Sequence, residues 1–196
     1  SIYLLCPDEA YAFVYAEEVD MDSVKQYLTD IIATHLPDNV DDITLELRTE
    51  VINTPFYHYT HGLKKHEGNC QRIAHGHRSK VIVKTDGVED FNAENYWATR
   101  WSDIYIGTTE DIVEPNKLRL QGVEKDFGYA HCFAYEASQG HFELVIAKAE
   151  SELIKQDSTV ECLAQHMLHE QQRKEPNKHF TVIAFEGVGK GAIANG

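Results

Sequence analysis

Histidine is concentrated in the one part of this chain where residue types and spacing suggest chemistry. Residues 57–83, YHYTHGLKKHEGNCQRIAHGHRSKVIV, carry five of the eleven histidines and one of the four cysteines. His75 and His77 are separated by one residue and run into Val81-Ile82-Val83. In an extended strand, residues i and i+2 point to the same face, so two imidazoles stand side by side. A third imidazole from a neighbouring strand would complete a set that holds one metal ion and leaves a coordination position open. His61 is the candidate third ligand. Cys70, on the loop between, could be a fourth ligand, making the site structural. It could instead be a thiolate base or nucleophile whose pKa a nearby cation lowers. The bland alternative is that the His-x-His pair is ordinary strand sequence.

The elements that must position these groups follow from periodicity. FYHYTHGL resumes as a strand after Pro55, with Tyr57, Tyr59 and His61 on one face and His58 on the other. Gly68-Asn69 reads as a turn, and residues 77–84 as the returning strand. The result is a long antiparallel hairpin that brings His61 to His75 and His77. Upstream, residues 10–19 and 43–52 read as strands. Residues 22–34 read as an amphipathic helix, from Val24, Leu28, Ile31 and Ile32. Residues 86–148 read as β-rich, with short strands at 104–107 and 117–120 and a hairpin around Ser138-Gln139-Gly140. Trp97 and Trp101, four apart, suit one helical face as core. Ser158-Thr159-Val160-Glu161 has the form of a capping box and opens a helix over 159–173. Residues 180–185, FTVIAF, form a buried strand ending at Glu186. The GVGKGA run that follows lacks the spacing and helix of a phosphate-binding loop.

At 196 residues the chain suits one domain, read here as 1–196 with 86–148 as an insertion. A net charge of −14 argues against nucleic acid or an anionic membrane as partner. An anionic small substrate would need local cations, which Lys64, Lys65, Arg72, Arg78 and Lys80 could supply. No apolar run reaches the roughly 18 residues of a membrane span, and the first residues do not read as a signal peptide. Four cysteines without CxxC spacing suit free thiols in the cytoplasm.

Four blocks in order, YHYTHGL, CQRIAHGHRSKVIV, STVECLA and VIAFEG, cover about a third of the chain. Together they resemble the 6-pyruvoyl-tetrahydropterin and 6-carboxy-tetrahydropterin synthase family. The resemblance implies an α+β T-fold: an antiparallel four-stranded sheet with two main helices on one face, in a homo-oligomer, here with an extra β-rich insertion. It implies zinc (Zn2+) on His61, His75 and His77, Cys70 as catalytic base, and Glu186 as anchor of a pterin ring, with Thr159 and Glu161 beside it. It implies a zinc-dependent lyase acting on dihydroneopterin triphosphate, of the 6-carboxy type used in queuosine synthesis. The pyruvoyl product, folate-pathway side-chain cleavage, or a pterin- or purine-binding protein without catalysis are the alternatives. Two departures stand out. Gly140 lies where the family's Asp-His pair has Asp, leaving His141 as a proton relay without its usual orienting carboxylate unless Asp126 or Asp157 supplies one through space. The clearest early helix also precedes the first sheet arm, whereas the family's first helix follows the HGH strand.

Overall fold

A computed structural model describes residues 2–122 and 127–196; Asp126 lies outside the described residues. The chain divides into two compact units, Ser1–Ala10 with Ile52–Gly196, and Tyr11–Val51.

In the larger unit the strands are β1 (Tyr3–Leu5), β2 (Phe56–His61), β3 (His75–Thr85), β4 (Val88–Glu89), β5 (Ser102–Thr108), β6 (Ala130–Ala137), β7 (Gly140–Ala147), β8 (Ser151–Ile154), β9 (Phe180–Gly187) and β10 (Lys190–Asn195). The smaller unit holds helix α1 (Met21–Ala33), and the larger holds α2 (Phe91–Arg100) and α3 (Val160–Lys174). The main sheet runs β10-β9-β3-β2-β5-β8, with β4 paired to β3. Its first four strands are mutually antiparallel. β5 and β8 extend it in parallel beyond β2. A second sheet, β1-β7-β6, is antiparallel.

Alternation along β2 and β3 explains the packing. Tyr57, Tyr59, Val81 and Val83 point to one face and are buried with Trp97 and Trp101 of the α2 end and Leu163, Ala164 and Met167 of α3. Each such side chain removed from water contributes about 1.5–3 kcal/mol. The second sheet packs Phe133, Phe142 and Leu144 around Ile73 and Tyr105. This is the expected α+β arrangement, with two helices on one sheet face and added strands. Among the described residues no helix is long and apolar enough to cross a membrane, and all four cysteines are free.

Several elements differ from the sequence reading. A helix does follow the HGH strand: α2, capped by Asp90, whose carboxylate accepts from Ala93 N at 3.0 Å and from Thr85 Oγ1 at 2.7 Å. Its ten residues are too short for periodicity to reveal, although the Trp97–Trp101 spacing anticipated the packing. The β-rich stretch therefore begins at β5. Residues 117–120 form no strand, because the Arg119 and Leu120 N–H groups donate to the buried Glu143 carboxylate, at 2.7 and 2.9 Å, instead of to a ladder. Within the smaller unit α1 begins one residue early behind an Asp20–Ser23 capping box. The segments expected as strands there, 11–19 and 43–51, are irregular; β-branched composition makes no strand without a partner edge to take its backbone groups. Finally, α3 is capped by Thr159 rather than Ser158, which frees Ser158 for another task.

Candidate metal centre

Cross-strand pairing sets His61 opposite His75 and Tyr59 opposite His77 on β2 and β3. Three imidazoles thus share the buried face. Their ring centroids lie 4.3 Å (His61–His75), 5.1 Å (His61–His77) and 5.3 Å (His75–His77) apart. One ring nitrogen from each falls within 4.8 Å of the other two.

The Nδ1 atoms are all engaged. His61 Nδ1 meets Ser158 Oγ at 2.9 Å, His75 Nδ1 meets the Arg72 carbonyl at 3.0 Å, and His77 Nδ1 meets the Glu186 carbonyl at 2.9 Å. A carbonyl only accepts, so His75 and His77 carry their proton on Nδ1 and present a lone pair on Nε2. His61 Nε2 and His75 Nε2 are buried with no hydrogen-bond partner. A buried polar atom left unpaired costs about 1–3 kcal/mol; a ligand shared by the three nitrogens removes that cost. Burial, reinforced by His75 and His77, pushes the His61 pKa down to about 2. Burial likewise lowers His75 against the opposing Arg72 carbonyl bond. His61 and His75 are therefore held neutral, as metal binding requires. Three clustered ring nitrogens, each on a ring whose Nδ1 is held by a second partner, form a donor set that fits zinc.

Gly62 follows His61 for a steric reason. A Cβ there would lie 2.7 Å from Ile73 Cα and run into the Tyr135 hydroxyl. The Tyr135 hydroxyl donates to the Gln71 carbonyl at 2.6 Å, which steadies the turn carrying Cys70. Cys70 is half-buried in that short helical turn, Asn69–Gln71, and its carbonyl accepts from Leu63 N at 2.9 Å. Among the described residues the metal-capable cluster contains the three histidines and not Cys70.

Glu186 owes its orientation to a bulge. Lys190 pairs with Gly187 and Gly191 with Phe185, so Glu186 is skipped in the β9–β10 register. Its carbonyl turns to His77, while its carboxylate, 9% exposed, pairs with the Lys190 ammonium. The hydroxyl of Tyr57 fixes the neighbouring backbone by donating to Phe185 O and accepting from Phe185 N at 2.9 Å. Thr159 caps α3 through Cys162 N at 3.4 Å, and Glu161 is exposed in the first turn.

His141 has different company. Its Nδ1 lies 2.8 Å from Glu136 and its Nε2 2.7 Å from the fully buried Glu143. Both ring nitrogens are taken, and the structure does not bring it into the histidine cluster. Gly140 is required where it stands: its φ is +125°, and a Cβ would lie 2.7 Å from Pro7 Cγ. A carboxylate cannot be accommodated there without moving Pro7. Asp157 accepts from Ser158 N at 2.9 Å. His58, on the opposite face, contacts Asp103 and Ser102.

Sequence reasoning missed Ser158 and Lys190 as members of this neighbourhood. Ser158 was hidden behind its capping pattern. Lys190 was legible only as the cation four residues past Glu186, across a glycine-flanked turn.

The antiparallel β10-β9-β3-β2 sheet with α2 and α3 on one face defines the chain as a T-fold protein, and the three-histidine cluster sits on that sheet. The crystal structure of 6-pyruvoyl tetrahydropterin synthase from Plasmodium vivax matches 74% of this chain and 94% of its own, at a TM-score of 0.50 and 14% identity. The corresponding Plasmodium falciparum enzyme matches 72% and 91%, at 0.49 and 13%. At such identity the likeness is one of fold. No family model matches the sequence, and no curated protein matches it.

Proposed function

We propose that this chain is a zinc-dependent pterin synthase acting on dihydroneopterin triphosphate, with His61, His75 and His77 holding the ion. The observation that carries the reading is the cluster of three imidazoles with Nδ1 engaged on each, and with the Nε2 atoms of His61 and His75 buried and unpartnered, on a T-fold sheet. A bound zinc would polarise the hydroxyls of the substrate side chain and acidify the carbon-bound protons beside them. The bulged Glu186 carboxylate would accept two parallel N–H bonds from the pterin ring and so fix its plane. Thr159 and Glu161 would border the ring. Cys70, on the turn held by Tyr135 and Leu63, would act as the base. His141 could relay protons only if its bonds to Glu136 and Glu143 opened.

Retention of Cys70 favours side-chain cleavage to a 6-carboxy product, the queuosine-type reaction. A homo-oligomer would cover the open sheet edges at β10 and β8. A second reading, a zinc-holding pterin binder without turnover, is favoured by the engaged His141 and the side-chain-free Gly140.

The test is incubation of the zinc-loaded protein with dihydroneopterin triphosphate, followed by mass analysis. A carboxy-pterin with acetaldehyde supports the first reading. A pyruvoyl-pterin or a cleaved folate-type product reassigns the reaction, and binding without turnover supports the second reading. No binding at all removes both. Full zinc content in His75→Ala would eliminate the metal centre as drawn.

A further inference from the structure

We propose that Ser102, His58 and Asp103 form a second site, a nucleophilic triad that hydrolyses carboxylic esters of short apolar acids. The site lies on the sheet face opposite the three-histidine cluster and does not depend on the zinc reading.

The three side chains are joined in the order such chemistry needs. His58 Nδ1 lies 2.6 Å from Asp103 Oδ1, and His58 Nε2 lies 3.1 Å from Ser102 Oγ. A carboxylate only accepts, so the neutral ring carries its proton on Nδ1 and turns the Nε2 lone pair to the serine hydroxyl. Nucleophile, base and orienting carboxylate thus occupy their three places.

Ser102 and Asp103 are consecutive, and consecutive strand residues ordinarily point to opposite faces. A bulge removes that obstacle. In the parallel β2–β5 pairing His58 stands opposite Ser102 and Tyr59 opposite Ile104, so Asp103 is skipped. Asp103 takes the left-handed φ of +55°, and its carboxylate meets the same ring as Ser102. Outside glycine that conformation carries strain, and bulges re-aim side chains beside functional sites.

A cleft of about 580 Å³ adjoins the triad. His58 and Asp103 line it, and Ile2, Ile104 and Ile146 give it apolar walls for an acyl group. Arg78 lines it too, directly opposite His58 on β3 and 4.4 Å from the centre of the Phe56 ring. Its guanidinium supplies the cleft with a positive charge for an oxyanion.

The reaction uses these groups and water. Ser102 Oγ attacks the ester carbonyl carbon while its proton passes to His58 Nε2. The ester C–O bond then breaks, and the leaving alkoxide takes that proton as an alcohol. Water attacks the acyl-serine and gives a proton to His58. The bond to Oγ breaks, the proton returns to Ser102, and the carboxylic acid is released. Asp103 is 85% exposed, so water screens its hold on the imidazolium that forms.

The experiment is hydrolysis of p-nitrophenyl acetate by wild type, Ser102→Ala and Asp103→Asn, each before and after zinc chelation. Peptide mass mapping locates the acetyl group and, separately, a fluorophosphonate label. Circular dichroism shows that each variant is folded. Both adducts are expected on Ser102, and Ser102→Ala should hydrolyse the ester about a hundredfold more slowly or worse. Asp103→Asn keeps a residue that tolerates the left-handed backbone and should lose about tenfold, because the carboxylate is screened. Chelated wild type should keep its rate. A wild-type rate in Ser102→Ala, adducts on Cys70 instead of Ser102, or no hydrolysis and no adduct at all would each overturn the triad. Hydrolysis that disappears on chelation would assign the activity to the zinc centre and overturn it equally.

Discussion

Ser158 stands behind the proposed zinc site as a residue that orients one histidine and need not touch an ion. Its hydroxyl meets His61 Nδ1 at 2.9 Å, while Thr159 caps α3 in its place. Ser158→Ala is therefore expected to weaken zinc binding about tenfold or more in a chelator competition, with unchanged helix content. Thr159→Ala should do the reverse, costing about 1 kcal/mol of stability with zinc affinity retained. Equal zinc affinity in wild type and Ser158→Ala would remove the orienting role. Asp111 offers a second residue-scale test. Burial pushes its pKa up to about 6 from 3.8, with Lys64 pulling the other way. Between these values the folded state keeps a proton that the unfolded chain has released. Stability thus falls as pH rises through that window and is lower by about 3 kcal/mol above it. Asp111→Asn should accordingly withstand more urea than wild type at pH 8 and match it near pH 4. A less stable Asp111→Asn at pH 8 would contradict the sign.

At the scale of elements, Glu152 of β8 ties three pieces together. It accepts two bonds from Arg100, at 2.8 and 2.7 Å, and one from Trp101 Nε1 at 3.0 Å, and lies 3.3 Å from His166 Nε2 of α3. Glu152→Gln leaves Arg100, largely buried, with Glu170 at 3.6 Å as its remaining carboxylate partner. Urea unfolding should show a loss of about 3 kcal/mol with metal content unchanged; a loss within error of zero would mean the network is solvated. These elements were unevenly legible. The α3 helix and the β2–β3 hairpin announced themselves through strict 3.6 and 2.0 periodicities on buried faces. By contrast α2 was too short, and β8, at four residues, carries no pattern of its own. The failed strand at 117–120 depended on Glu143, a carboxylate over twenty residues away in sequence.

For the whole molecule, metal and fold are expected to be one system. A ligand that binds only the folded state at about 1,000 times its Kd adds about 4 kcal/mol. Chelation should therefore lower the Tm of the zinc-loaded protein by about 10 °C, and His75→Ala should be insensitive to chelator. A wild-type Tm indifferent to chelation would separate metal from fold. By itself, the sequence determined the histidine hairpin, because alternation on a strand is a local rule that names both the face and the partners. It also determined the order of the blocks that resemble the pterin synthases, and hence the T-fold expectation. Tertiary structure alone decided what stands behind those histidines: Ser158, the Arg72 carbonyl and the bulged Glu186. It also decided that His141 lies between two carboxylates, that Gly140 must lack a side chain, and that Lys190 holds Glu186. The Arg72, Glu136 and Glu143 contacts span only a few residues, but Ser158 and Glu186 meet the histidines and Pro7 meets Gly140 across long stretches of chain, and Lys190 reaches Glu186 across a bulge. No local period encodes them, because they depend on where the packed sheets and helices bring the backbone together.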